Sequence, residues 1–102
     1  MQEQHKVKVL ELVKEAHAEV EKAYLQNPAT KGSADWLQKR RLLLADLGLH
    51  LVQASVSEDE VNRQKLKRYL FSILTISEEF IPGYGLSETA EKLAVVDSVP
   101  EK

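Results

Sequence analysis

The sequence predicts an all-α protein, an antiparallel up-and-down four-helix bundle with three long helices and a short fourth. Three observations lead to this prediction. Apolar residues recur at alternating spacings of three and four along the first and the third of three long stretches, which is the period of one helix face, and the second stretch is apolar nearly all round. Proline and glycine follow the first and the third stretch. The joins are short, so we expect consecutive helices to fold back on each other as antiparallel hairpins.

The first helix is predicted from about Gln4 to Gln26. Its apolar face comprises Val9, Val13, Ala16, Val20 and Ala23. The helix should end at Asn27, because the residue before a proline is driven out of the α region, and a loop should follow through Ser33.

The second helix is predicted from Trp36 to about Ala54, with Ser33 or Asp35 as its N-cap. Residues 42–54 are apolar nearly all round, so we expect this helix to be central. Either helices one and four or another subunit would cover it, and we favour the two helices. Gly48 costs ~1 kcal/mol relative to alanine within a helix, which a closely approaching neighbouring helix could offset.

The third helix is predicted from Glu58 to about Phe80, because residues 57–60 match a capping box. In that motif Ser57 accepts the Glu60 backbone N–H, the Glu60 carboxylate reaches back to Ser57, and Val56 packs on Val61. The predicted apolar stripe comprises Leu66, Tyr69, Ile73, Ile76 and Phe80.

A short fourth helix is predicted after a proline and glycine turn at residues 82–86, with Ser87 as its N-cap. Its inward face would comprise Leu86, Ala90, Leu93 and Val96. Residues 97–102 are predicted to be a frayed tail, and residues 1–102 to form a single domain. Tyr84 in the turn is either an exposed binding anchor or a lid over the end of the bundle.

Composition limits the classes of function. The chain has 102 residues, of which 43% are hydrophobic, which suits one domain with one core. Its 14 Lys and Arg and 16 Asp and Glu give a charge of −2, which removes the bulk attraction to phosphate of a general nucleic-acid binder. It has no cysteine, no signal-like N-terminal segment and no stretch of ~18 apolar residues. We therefore expect a cytoplasmic protein.

Neither a catalytic site nor a metal site is predicted. Asp46 with His50, and His17 with Glu21, are ligand-like pairs at i,i+4, but a zinc site needs at least three protein ligands and spacing places no third group. The acidic run at residues 58–60 suits the first turn of a helix. No phosphate loop, nucleophile elbow or metalloprotease helix motif is present. We expect neither enzyme activity nor a cofactor.

Two basic clusters are candidates for a surface that binds nucleic acid. They comprise residues 39–41 and, in helix three, Arg63, Lys65, Lys67 and Arg68. An antiparallel hairpin would place them towards opposite ends, and helices of about twenty residues are long for a helix-turn-helix module. Solvated faces are the favoured interpretation.

The run from Val56 to Leu86, with its polar segment Asn62–Arg68 and its closing Gly83-Tyr84-Gly85, resembles the C-terminal half of the enterocin A-type bacteriocin immunity proteins. The resemblance covers about a third of the chain. It implies an antiparallel four-helix bundle that protects a producer cell from its own pore-forming class II peptide, by contact with the membrane receptor and peptide at the inner membrane face.

The same resemblance implies a recognition surface in the C-terminal part of the chain. Its residues would be Arg63, Lys67, Tyr84 and the segment 86–96, within which Leu86 and Leu93 are the expected contacts.

The leading hypothesis is therefore a non-catalytic bacteriocin immunity protein, located in the cytoplasm or peripherally at the inner face of the membrane. The first alternative is a small helical DNA-binding or phage-type regulator that uses helix three. The second is a structural helical adaptor with homodimer contacts. Nucleic acid is the disfavoured partner, and a homodimer stays open.

Overall fold

The computed structural model describes the backbone of residues 1–97 and the side chains of residues 1–94. This part of the chain forms the helices α1 (Glu3–Gln26), α2 (Trp36–Val56), α3 (Arg63–Phe80) and α4 (Leu86–Asp97), and it contains no strand. The predicted all-α four-helix bundle is confirmed. Asp97 is the last residue of α4, so a tail that begins there is wrong by one residue. The rest of the predicted tail, 98–102, and the Val96 side chain lie outside the described residues.

Each helix packs on its neighbours in the chain. Within residues 1–97, α1 contacts α2, α2 contacts α3 and α3 contacts α4, and no other pair of helices is in contact. α2 is thus an inner helix, as predicted, but α3 shares this position because it also contacts two helices. The prediction that α4 covers α2 is wrong. Gly48 does not mark a close approach either, because nothing lies within 4 Å of a Cβ built on it.

The bundle is open and flat. It measures 44 × 35 × 18 Å, and its thinnest axis is below two helix diameters of ~10–12 Å. The radius of gyration is 15.6 Å, against about 13 Å for a compact chain of this length. The helices therefore lie side by side in one layer, and α1 and α4 form its two edges.

The core is correspondingly thin. Among the described side chains, the buried hydrophobic residues are Ala54, Ile76 and Ala90, which are 4%, 4% and 0% exposed. Two of the three are alanines, which bury little area themselves but let adjacent helices approach. Most Leu, Val and Ile side chains of the helices stay half-buried, so much of their apolar area still faces solvent.

The connection between α1 and α2 follows the predicted boundaries. Asn27 ends α1, and its Oδ1 accepts the backbone N–H of Ala29 at 2.9 Å. Asp35 occupies the N-cap position of α2 without a side-chain capping bond, while the Ser33 carbonyl accepts the Trp36 N–H at 3.2 Å. Of the two predicted residues, Asp35 is therefore the N-cap by position, although its side chain makes no capping bond.

The connection between α2 and α3 differs from the prediction. The capping box at Ser57 and Glu60 does not form, because α2 continues to Val56 and the Ser57 N–H bonds the Gln53 carbonyl at 3.0 Å. The third helix starts at Arg63 rather than at Glu58. Asn62 is its N-cap, and Asn62 Oδ1 accepts the Lys65 N–H at 3.0 Å.

The connection between α3 and α4 depends on a carboxylate rather than on the predicted Ser87 cap. Glu78 Oε1 accepts the backbone N–H groups of Leu86 at 3.0 Å and Ser87 at 3.3 Å, and Oε2 accepts that of Gly83 at 3.3 Å. A negative charge at the start of a helix also suits its dipole. Gly83 and Gly85 have φ of 96° and 69°, which L side chains rarely adopt.

Replacing the observed N-cap of α3 should destabilise the protein more than replacing the predicted one. Asn62→Ala should lower the free energy of unfolding by about 1 kcal/mol, because the Lys65 N–H loses its acceptor. Ser57→Ala should change it by less than about 0.5 kcal/mol. Urea denaturation of both variants measures the difference, and a larger effect at Ser57 would favour the capping box.

Removal of the Glu78 carboxylate should loosen α4. Glu78→Ala deprives three backbone N–H groups of their acceptor and should cost about 1–3 kcal/mol locally. Amide hydrogen exchange of residues 86–94 should accelerate in this variant and not in Glu91→Ala, a change at an exposed position of α4. Unchanged exchange in Glu78→Ala would show that α4 does not need this cap.

Candidate functional site

The predicted partner-binding residues lie along one side of the bundle, on α3, on the turn after it and on α4. Lys67 and Leu93 line the same groove between α3 and α4, which has a volume of about 230 Å³. The lining comprises Gln64, Lys67, Arg68, Phe71, Ser72, Leu93 and Ala94. Because α3 and α4 are antiparallel, the first half of α3 faces the last turns of α4.

The groove combines two kinds of surface. Lys67 and Arg68 supply positive charge, whereas Phe71 and Leu93 supply apolar area. This combination suits a peptide segment that carries both apolar and acidic side chains. Arg63 lies one turn before Lys67 on α3, so both residues belong to the same end of the bundle.

Tyr84 and Leu86 lie at the other end of α3. Tyr84 is 77% exposed, so it is not the predicted lid over the end of the bundle. Leu86 is half-buried at the start of α4. The 18 residues of α3 separate the two ends by about 27 Å at 1.5 Å per residue. The five predicted residues therefore do not form one compact patch: Lys67 and Leu93 share a groove, whereas Tyr84 and Leu86 lie at the other end of α3.

The basic clusters are separated as the hairpin geometry predicts. Arg40, near the start of α2, donates from Nε and Nη2 to Glu79 Oε2 at 3.0 and 2.7 Å, and Glu79 lies at the end of α3. Arg63 and Arg68 belong to the opposite end of that helix. The described basic residues thus do not merge into one face, and the Arg40 guanidinium is already engaged by a carboxylate.

A polar cluster that was not predicted from the sequence lies between α1 and α2. It consists of His17, Asp46 and His50. His17 Nδ1 donates to Asp46 Oδ1, and His50 Nε2 lies 3.2 Å from Asp46 Oδ2. On the outer side of His17, Nε2 lies 3.7 Å from Glu21 Oε2.

Both imidazole rings of the polar cluster are held by further contacts. The His50 ring stacks on Tyr69 of α3 with centroids 5.3 Å apart and planes inclined by 13°. The His17 ring meets the His50 ring edge-on at 5.0 Å. The side chains are 35% (His17), 20% (Asp46) and 31% (His50) exposed, so the cluster is partly shielded yet open to water.

Two apolar grooves between α1 and α2 adjoin the polar cluster. One has a volume of about 450 Å³ and includes Glu21 and Asp46 in its lining, and the other has about 300 Å³ and includes His17 and His50. The sequence had shown both i,i+4 pairs. The sequence did not show the register of α1 on α2, and this register places the two pairs opposite each other.

None of the helices in the described part of the chain is both long and apolar enough to cross a bilayer. Comparison of the chain with protein-family models, with curated proteins and with solved structures gives no match.

Proposed function

We propose that this chain is a non-catalytic binding protein of the bacteriocin immunity type, which protects a producer cell by contacting a membrane receptor and its bound class II bacteriocin. It would work in the cytoplasm, at the inner face of the membrane. The surplus surface of the isolated chain is the main support for a binding role.

The chain exposes 7434 Å², whereas a compact monomer of 11.5 kDa exposes about 5,800 Å². The excess of roughly 1,600 Å² on this one chain is about twice the ~800 Å² that each partner buries in a standard protein–protein interface. Exposed apolar side chains contribute to it, among them Leu12, Leu25, Ile81 and Tyr84 at 52%, 74%, 52% and 77% exposure. A single layer of helices with such faces favours association with another macromolecule.

The choice of partner rests on the resemblance and on the α3–α4 edge. The segment that resembles immunity proteins, residues 56–86, contributes α3 and the turn that carries Tyr84. The groove beside Lys67 and Leu93 offers charge and apolar area, and Tyr84 offers an exposed aromatic anchor at the far end. This edge would face the receptor and peptide.

Expression of the chain in sensitive cells tests this function. The cells should survive one of a panel of class II bacteriocins that kill cells with an empty vector. Uniform killing by all the peptides, with the protein present at normal levels, would contradict the proposal. In that case, binding to DNA in a mobility-shift assay, with an affinity that falls steeply as the salt concentration rises, would favour the alternative of a DNA-binding regulator.

Two changes on the α3–α4 edge should remove protection. Tyr84→Ala deletes the exposed anchor, and Lys67→Glu reverses charge in the groove; each should reduce survival at least about tenfold, since an anchor contact is worth ~2 kcal/mol or more. Lys22→Glu, at an exposed position of α1, is the matched control and should protect like the unchanged chain. Equal protection by all three variants would move the binding surface elsewhere.

A further inference from the structure

We propose that the polar cluster of His17, Asp46 and His50 binds one Zn²⁺ ion per chain and so joins α1 to α2. The ligand atoms of these three side chains all lie within 4.8 Å of one another. The inference does not depend on the proposed function, because it concerns the opposite edge of the bundle.

The donor set fits a borderline transition metal. Two imidazole nitrogens and one carboxylate oxygen are ligands that zinc accepts in sites with three protein ligands. Ca²⁺ and Mg²⁺ prefer sites made of oxygen ligands alone, so a site with two imidazoles disfavours them.

The spacing of the ligand atoms also fits. Four-coordinate zinc with bonds of ~2.0–2.2 Å holds its ligand atoms roughly 3.3–3.6 Å apart. Asp46 Oδ2 and His50 Nε2 are already 3.2 Å apart, and His17 Nδ1 touches the same carboxylate. Side-chain rotations that move the ligand atoms by about 1 Å would bring the three groups around one ion. The ion would take the place of the proton on His17 Nδ1. The ligating ring would stay neutral with its one proton on Nε2, on the side of Glu21, and any second proton would leave to solvent.

The surroundings of the polar cluster orient the ligands. Glu21 lies beside the nitrogen of His17 that faces away from Asp46, at 3.7 Å, where a carboxylate fixes the ring of a metal-bound histidine. Stacking on Tyr69 holds the His50 ring. Partial exposure of all three ligands gives an ion a route from solvent and leaves a coordination position for water.

Titration of the full chain with Zn²⁺, monitored by calorimetry and made on protein without a histidine tag, tests the inference. One equivalent should bind, and the thermal unfolding midpoint should rise with excess Zn²⁺, because the ion binds the folded chain preferentially. Co²⁺ should give the visible absorption of a low-coordinate site. No binding up to millimolar Zn²⁺ would overturn the inference, and so would half an equivalent, which would place the ion between two copies.

Variants locate the ion. His17→Gln and His50→Gln should each weaken binding at least about 100-fold, and Glu21→Gln about tenfold. His5→Gln, which changes the exposed histidine near the start of α1, is the matched control and should bind like the unchanged chain. Equal affinity in the His17 and His50 variants would overturn the site.

Nitrogen NMR of the unchanged chain also shows which histidines bind the ion, and it does not depend on the variants being folded. Zn²⁺ should shift the ring nitrogens of His17 and His50 and leave those of His5 in place. A shift confined to His5, or equal shifts in all three rings, would contradict the assignment. Loss of zinc binding together with retained protection from bacteriocins would separate this inference from the proposed function.

Discussion

Within residues 1–97, each helix packs only on its neighbours in the chain, and the rest of this part of the structure follows from that restriction. A closed bundle surrounds a central core, whereas a single layer buries side chains only along the seams between adjacent helices. Among the described side chains, the buried hydrophobic residues accordingly sit on α2, α3 and α4 as Ala54, Ile76 and Ala90, and two of these three are alanines. The layer keeps two broad faces of mixed polarity.

The two edges of the layer have different chemistry. At the α1–α2 seam, a carboxylate of α2 holds two imidazoles together, and Tyr69 of α3 supports one of them. At the α3–α4 seam, Glu78 binds the backbone at the start of α4 and thereby sets the position of the turn that carries Tyr84. Polar contacts thus connect both outer helices to the inner ones beside the apolar seams. Removal of either contact would disturb one edge and leave the other intact, since the seams share few residues.

Much of the fold could be predicted from the sequence, and the errors have physical causes. Periodicity and Pro28 gave the bounds of α1, and apolar character on all sides gave the central place of α2. The predicted start of α3 was wrong because Ser57 and Asn62 are both good N-cap residues, and the local sequence does not show how far α2 continues. The cap of α4 was missed because it comes from Glu78, whose distance from the helix start becomes short only once the turn has formed.

The candidate sites were less predictable than the helices. Spacing identified the pairs His17 with Glu21 and Asp46 with His50, yet only the register of α1 on α2 brings them together. Along the α3–α4 edge, Lys67 and Leu93 share a groove, while Tyr84 lies at the far end of α3. Contacts within one helix follow from the helical period of about 3.6 residues. Contacts between helices depend also on how each helix is rotated about its axis and shifted along its neighbour, and the local sequence does not show either.

The separation of α1 from α4 tests the open layer most directly. The chain has no cysteine, so Glu15→Cys and Glu91→Cys, both at exposed positions, allow two spin labels to be placed cleanly for pulsed electron resonance. Three interaxial steps of ~8–10 Å predict backbones roughly 27 Å apart, in line with the 35 Å width of the molecule. A distance of about 10 Å would mean that α1 and α4 touch, that the bundle closes on itself, and that its faces are not available to a partner.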